Sequence, residues 1–329
     1  MYDITFIGYG IATMCGLLAL SSKSLKIAVI DPYFDGGSLH RHYATVQSNT
    51  VWRQFLEAVT PFIAPAKLQQ LQTLHDYEAT TPLGELTRQL RFLTGNNHTK
   101  IMGEAKEAHW VSDHWTISVD QKTIKSSRLI LCTGAQQRTL NYPIPQLPLE
   151  IILNSAALKG ATRPLDSIVI LGASHSGTLA AARAAEAGLN VSLVYRGNES
   201  AFKYARDGHY DGIKQESAQI ADKITAGELP LVRVTNNEDE VRSLLLGADW
   251  VTYACGFEPR KTIRLFVEGV EVAAEKYDAS SGHIVQAPCA WGFGIAYPNS
   301  TMVGTNTFYD VSLSAFLAHI VKNLEAIIS

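Results

Sequence analysis

The chain has 329 residues, a length that suggests about two domains at roughly 100–200 residues each. Apolar residues make up 46% and charged residues 18%, enough for buried cores and too apolar for a disordered chain. The net charge of −3, from 28 basic and 31 acidic residues, excludes the electrostatic footprint of a nucleic-acid-binding protein. Four cysteines, at positions 15, 132, 255 and 289, with no C-x-x-C spacing, exclude a disulfide scaffold and a zinc module.

The N-terminus has no basic region and makes a poor signal peptide. The apolar stretch 6–20 is shorter than the ~20 residues that span a bilayer and holds three glycines. A cytoplasmic protein with no membrane partner is the expectation. Residues 3–7 read as a strand, Gly8-Tyr9-Gly10-Ile11-Ala12-Thr13 as a glycine turn, the run to Leu20 as a helix, and 26–31 as a second strand. Residues 109–126 alternate as an antiparallel meander does. Residues 128–135 read as a buried strand ending in Cys132-Thr133-Gly134-Ala135, and the proline-rich 142–148 as a linker.

The opening pattern then recurs. Strand 167–171 leads into Gly172-Ala173-Ser174-His175-Ser176-Gly177, a helical run 178–187 and a strand 190–196. A second small-residue strand end, Cys255-Gly256-Phe257-Glu258-Pro259-Arg260, follows, and 311–328 carries the apolar spacing of one helix. A strand, glycine turn, helix and strand within about 30 residues is the setting a dinucleotide fingerprint requires.

In the first turn, Gly8 and Gly10 let backbone N–H groups approach a pyrophosphate, and the helix opening at Ile11 and Ala12 points the positive end of its dipole at it. Thr13 stands where the third glycine belongs. Asp31, followed by Pro32, ends the second strand, where a carboxylate accepts the ribose hydroxyls and repels a 2′-phosphate; FAD or NAD(H) fits this half. In the second turn, Gly172, Ser174, Ser176 and Gly177 form the cradle, and His175 reads as a spacer facing solvent. Tyr195 and Arg196 take the acid's place, and a guanidinium there pairs with a 2′-phosphate. Two sites of opposite ribose chemistry imply two nucleotides, FAD first and NADPH second.

With these motifs the sequence resembles the flavoproteins with two dinucleotide-binding domains. That superfamily includes thioredoxin and glutathione reductases, flavin-containing monooxygenases and amine N-hydroxylases. The resemblance implies an α/β fold of two Rossmann-like domains, doubly wound and three-layered, the second inserted in the first. The FAD domain is expected over 1–155 and 256–329, and the NAD(P)H domain over 156–255. It also implies cofactor contacts at Thr133 and Gly134 in the crossover and at Cys255 and Gly256 in the return segment. The segment 300–306 resembles the part that folds back onto the flavin, with Gly304 as its glycine and Thr305 in place of the usual aspartate.

Disulfide reductases of this superfamily need two cysteines, typically in C-x-x-C or C-x4-C spacing, and no such spacing occurs here. Asp35-Gly36-Gly37-Ser38-Leu39 resembles the monooxygenase Gly-Gly-x-Trp stretch, with Leu39 for Trp and with Gly37 and Ser38 toward the cofactor. Gln47-Ser48-Asn49-Thr50 resembles the segment that branch places beside the flavin ring, which makes Ser48 a cofactor contact and Asn49 both a contact and the candidate catalytic residue. A neutral amide suits a site where oxygen gains negative charge; the alternative for Asn49 is an Asx turn. The branch's histidine motif is absent: Asn154-Ser155 stands in its place. His40-Arg41-His42 reads as a loop near flavin or substrate rather than a metal site. Residues 291–297 read either as the lining of an apolar pocket or as a glycine loop packed on the FAD domain.

The expected function is an FAD-dependent, NADPH-reduced oxidoreductase, monooxygenase-like, hydroxylating an amine or sulfur of a small-molecule substrate, with a homodimer as the assembly. The alternatives are an NAD(P)H:acceptor flavin reductase and a non-catalytic nucleotide or redox sensor.

Overall fold

The computed structural model describes residues 1–197, 200–202, 210, 213–261, 263–303 and 306–329, with the backbone alone at 301, 303, 306–308 and 310. The chain forms two compact units. One comprises Met1–Ala44, Thr50–Gln136 and Pro259–Ser329, and the other Thr45–Asn49 and Gln137–Glu258. The second unit thus begins ahead of the expected 156. The proline-rich segment joins its sheet, where the Leu147 N–H donates to Val251 O and the Val251 N–H to Pro145 O.

In chain order, the first unit opens with β1 (Tyr2–Ile7), α1 (Ile11–Ala19), β2 (Ile27–Asp31) and α2 (Gly37–Tyr43). It continues with β3 (Thr99–Met102), β4 (Ala105–Val111), β5 (His114–Val119) and β6 (Lys122–Leu131). The second unit carries β7 (Ser167–Leu171), α3 (His175–Glu186), β8 (Asn190–Val194), β9 (Val232–Thr235) and β10 (Trp250–Tyr253). The chain returns to the first unit with β11 (Arg264–Val267), β12 (Val270–Val272), β13 (Ala290–Gly292) and α4 (Leu313–Lys322).

The first unit is built on a nine-stranded sheet ordered β12-β11-β4-β5-β6-β1-β2-β3, with β13 also paired to β6. Strands β6, β1, β2 and β3 are parallel, in the register Ile4↔Arg128, Ile4↔Ile27 and Asp31↔Met102. The β4-β5-β6 meander is antiparallel, as the alternation predicts. Continuous burial of β2 and of all nine residues of α1 fits a strand and helix covered on both sides. Phe6 and Met14 are fully buried in this core together with Phe316 and Ile320 of α4. Burial of each such side chain contributes about 1.5–3 kcal/mol.

The second unit has a four-stranded parallel sheet ordered β9-β8-β7-β10, with α3 packed on β7 and β8. The same strand, turn and helix therefore occur twice, each time at the carboxyl end of a parallel sheet, where ligands of such folds bind.

The expected terminal helix 311–328 divides in two. Ser312 caps α4 by accepting the Ala315 N–H. At Asn323 the side chain donates back to His319 O, and a second short helix, Leu324–Ile328, follows.

Candidate active site

The first turn leaves backbone bare where β1 meets α1. Gly8 has φ +97°, and a Cβ on it would lie 2.4 Å from Cys132 O, so only glycine fits. Gly10 faces open space, and Ile11 and Ala12 start the buried helix behind it. A Cβ on Gly37 would meet Gly10 Cα at 3.1 Å, so the start of α2, with half-buried Ser38, abuts the same turn. Thr13 substitutes for the third glycine by anchoring the turn: its hydroxyl donates to Gly8 O at 2.6 Å.

Asp31 is more tightly committed than the sequence implied. Oδ2 accepts the Tyr9 N–H, and Oδ1 accepts the N–H groups of Tyr33 and Phe34, all at 2.8 Å. Exposed Pro32, having no N–H, lets the chain curl back for these bonds. A carboxylate has roughly four acceptor positions. With three filled, Asp31 has one left for a ribose hydroxyl, not two.

A strand that the sequence did not single out also reaches this turn. β13 pairs in parallel with β6, matching Ala290↔Leu129 and Gly292↔Leu131, and delivers Phe293-Gly294-Ile295 to α1. A Cβ on Gly294, whose φ is +92°, would stand 2.7 Å from Ala12 Cβ. Residues 299–303 and 306–310 instead form an antiparallel hairpin. Gly304 and Thr305 lie outside the described residues. Thr133 and Gly134, at the end of β6, are half-buried. Trp291, Phe293 and Tyr297 are buried in the core, while Ile295 between them is exposed.

Ser48 is buried and Asn49 exposed on the strand Gln47–Val51, and Thr45–Asn49 groups with the second unit. Asn154 caps the helix Ser155–Ala161, accepting the N–H groups of Ala156 and Ala157. His40 and His42 lie on α2 rather than in a loop, and the Arg41 between them pairs with Asp35. Among the described residues no group of three His, Cys, Asp or Glu side chains is placed to hold a metal ion.

The second turn is tighter than the first. A Cβ on Gly177 would lie 1.7 Å from Gly172 O, so here the third glycine is obligatory. Gly172 itself has φ +112° and sits against Ala254 O. Ser174 is exposed at the start of α3 and its hydroxyl makes no capping bond, while Ser176 is half-buried behind it. His175 is not a free spacer. Its Nδ1 lies 2.6 Å from Ser217 Oγ, and that hydroxyl already donates to Lys214 O, so Nδ1 carries the proton. Burial, and then the nearby Lys214 charge, lower its pKa.

Tyr195 and Arg196 end β8, half-buried and exposed respectively. The Cys255 thiol donates to Leu171 O at 3.2 Å beside Gly172, and Gly256 follows with φ +89°. Sequence reasoning missed Arg138. Its N–H donates to Gly256 O at 3.0 Å, and its guanidinium, like that of Arg196, sits near enough to Cys255 to oppose the rise that burial imposes on the thiol. The signal available was only an arginine four residues after Gly134.

All four cysteines are free. Cys15 and Cys132 are buried behind the first turn; burial raises Cys132 to about 12 and, with Cys132 beside it, Cys15 higher still. Both shifts disfavour the thiolate that disulfide exchange requires.

Bare glycine backbone at Gly8 and Gly10, a helix start behind it and a fixed carboxylate fit the adenosine diphosphate half of FAD. The second cradle, with two arginines beside it, fits a nicotinamide dinucleotide. Similar proteins agree. The chain is 30% identical over 202 residues to the monooxygenase AgnR1 of Paecilomyces divaricatus, covering 52% of this chain and 51% of that one. It thus spans about half the length of this curated relative. The bacillithiol disulfide reductase Bdr (YpdA) of Staphylococcus aureus has the same fold (TM-score 0.67, 14% identity, 99% and 98% of the two chains). So does a flavin-containing monooxygenase of Stenotrophomonas maltophilia (TM-score 0.66, 11% identity, 99% and 98%). No described helix is long and apolar enough to cross a membrane. Residues 2–279 match the pyridine nucleotide-disulphide oxidoreductase family, whose members bind FAD and use NAD(P)H, and the chain belongs to that family.

Proposed function

We propose that this oxidoreductase takes electrons from NADPH and passes them to oxygen, hydroxylating an amine or sulfur of a small molecule. The observation that carries the reading is the placement of the thiols: the two closest to the first turn are free and buried, and burial disfavours their thiolates. The similarity to a monooxygenase over half the chain supports it. The overall reaction converts NADPH, a proton, O2 and substrate into NADP⁺, water and the oxygenated product.

Gly8, Gly10, Ile11, Ala12, Thr13, Gly37 and Ser38 would receive the FAD pyrophosphate, and Asp31 one ribose hydroxyl. FAD, when bound, supplies the electron-transfer and oxygen chemistry. Thr133, Gly134 and the Gly294 loop would bound the path of the isoalloxazine, and Asn49 would be the neutral amide of the reaction. The turn from Gly172 to Gly177 would hold NADPH, with Tyr195 and Arg196 reading the 2′-phosphate and Cys255-Gly256 closing the far side. A homodimer is the proposed assembly, and the molar mass from light scattering of the size-separated protein reads it out.

Anaerobic titration with NADPH tests the thiol argument. Flavin alone accepts a single pair of electrons per chain. A second pair would reveal a reducible disulfide and overturn the reading. A reductase without oxygen transfer is the second reading, favoured by one observation: Asn154, in the place of the oxygenase histidine, is spent on capping a helix.

A further inference from the structure

Tyr33 follows Asp31 by two positions, yet 61% of it is exposed. A side chain so exposed ordinarily moves freely, but this ring is held. The Arg41 guanidinium lies 3.8 Å from its centroid. Arg41 is itself pinned by two bonds to Asp35, Nε to Oδ2 at 2.7 Å and Nη2 to Oδ1 at 3.0 Å. Asp35 Oδ1 also accepts the Gly37 N–H at 3.0 Å, which ties the group to the first turn.

On the other side of Asp31, β3 ends at Met102, its partner in register, and the Gly103 N–H donates to Asp31 O. Met102 is 67% exposed and borders a cleft of about 280 Å³ that also includes Asp120 and Lys122. Two large side chains that add nothing to the core therefore flank one carboxylate at the carboxyl edge of the sheet.

We propose that Tyr33, stiffened by Arg41 and Asp35, is the platform on which the adenine of FAD stacks, with Met102 bounding the opposite side. This rests on the assignment of FAD to the first turn. A base stacked on an aromatic ring gains affinity in proportion to how little ordering the ring still has to undergo. Arg41 supplies that order in advance, occupying one face and leaving the other for the base. The remaining acceptor position of Asp31 then serves the attached ribose.

The test is calorimetric titration of the flavin-free, full-length chain with FAD and with ADP. Tyr33→Ala is expected to weaken both by the same factor, about 10-fold, because the lost contact belongs to the shared adenosine half. Tyr33→Phe keeps the ring and is expected to bind as the parent does, and Arg41→Met to fall between the two. Unchanged binding by Tyr33→Ala, a loss for FAD alone, or a Tyr33→Phe loss as large as that of Tyr33→Ala overturns the platform. A parent chain that binds neither ligand overturns the FAD assignment itself.

Discussion

The Tyr9 N–H donates to Asp31 Oδ2 at 2.8 Å, which makes the first glycine turn and the acid at the end of β2 one hydrogen-bonded unit. Asp31 therefore has a structural task as well as a ligand to read.

Asp31→Ala is expected to leave the N–H groups of Tyr9, Tyr33 and Phe34 without their acceptor. Loss of such bonds in a buried site costs about 1–3 kcal/mol. The flavin-free chain should melt earlier and FAD affinity should fall at least about 10-fold. A variant that loses affinity with no change in melting would show that the carboxylate serves only the ligand.

The two turns should respond differently at their third position. Gly177→Ala forces a methyl group against Gly172 O, and overpacking of this kind costs about 1–3 kcal/mol. Nicotinamide nucleotide binding should fall with it, while FAD binding persists. In the first turn, Thr13→Val removes the hydroxyl that donates to Gly8 O and interacts with the Cys132 thiol, and should lower stability by about 1 kcal/mol. Denaturation of the two variants, with each nucleotide titrated separately, checks both statements.

Coenzyme choice should divide between two arginines. Arg196→Ala is expected to weaken NADPH about 10-fold or more and NADH little, as loss of a charge-assisted phosphate contact would. The Arg138 backbone N–H bonds Gly256 O and would survive substitution, whereas its guanidinium lies near Cys255; Arg138→Ala is expected to weaken both coenzymes alike. Equal losses in Arg196→Ala would refute its 2′-phosphate role.

Stability should decline on mild acidification. Burial holds His98, His175 and His319 below the ordinary imidazole value of 6.5. A depressed folded pKa means that the unfolded chain takes up protons first, so stability present above pH ~6.5 is lost as pH falls through the folded values. Glu85, held at about 2 chiefly by its bond to Arg88, loses its contribution only below pH ~4.5, in a separate window. Urea midpoints measured from pH ~7.5 to ~5.5 should fall, and His319→Gln should flatten part of that slope.

Both glycine turns were legible in the sequence because their spacing lies within a short strand–turn–helix unit, and Gly177 is crowded from inside that unit by Gly172 O; the atoms that crowd Gly8 and Gly172, Cys132 O and Ala254 O, are remote in sequence. The meander was legible from its alternation. Gly294 was not, because β13 has only three residues and its meaning comes from pairing with β6, far back in the chain. The glycine at 304, which the sequence singled out, lies outside the described residues. His175 and Arg138 stayed hidden as Gly294 did, since their partners Ser217 and Gly256 are remote in sequence. Asp31 was legible as the end of β2, but its three backbone donors depend on a turn that Pro32 shapes.

The most direct test of oxygen transfer is turnover of the FAD-loaded chain with NADPH under isotopically labelled O2, against a panel of small amines and thioethers. The account predicts labelled N- or S-oxygenated product that accumulates in step with NADPH consumption. NADPH oxidation that yields only hydrogen peroxide with every substrate, or that proceeds at full rate with a disulfide in the absence of oxygen, would contradict it.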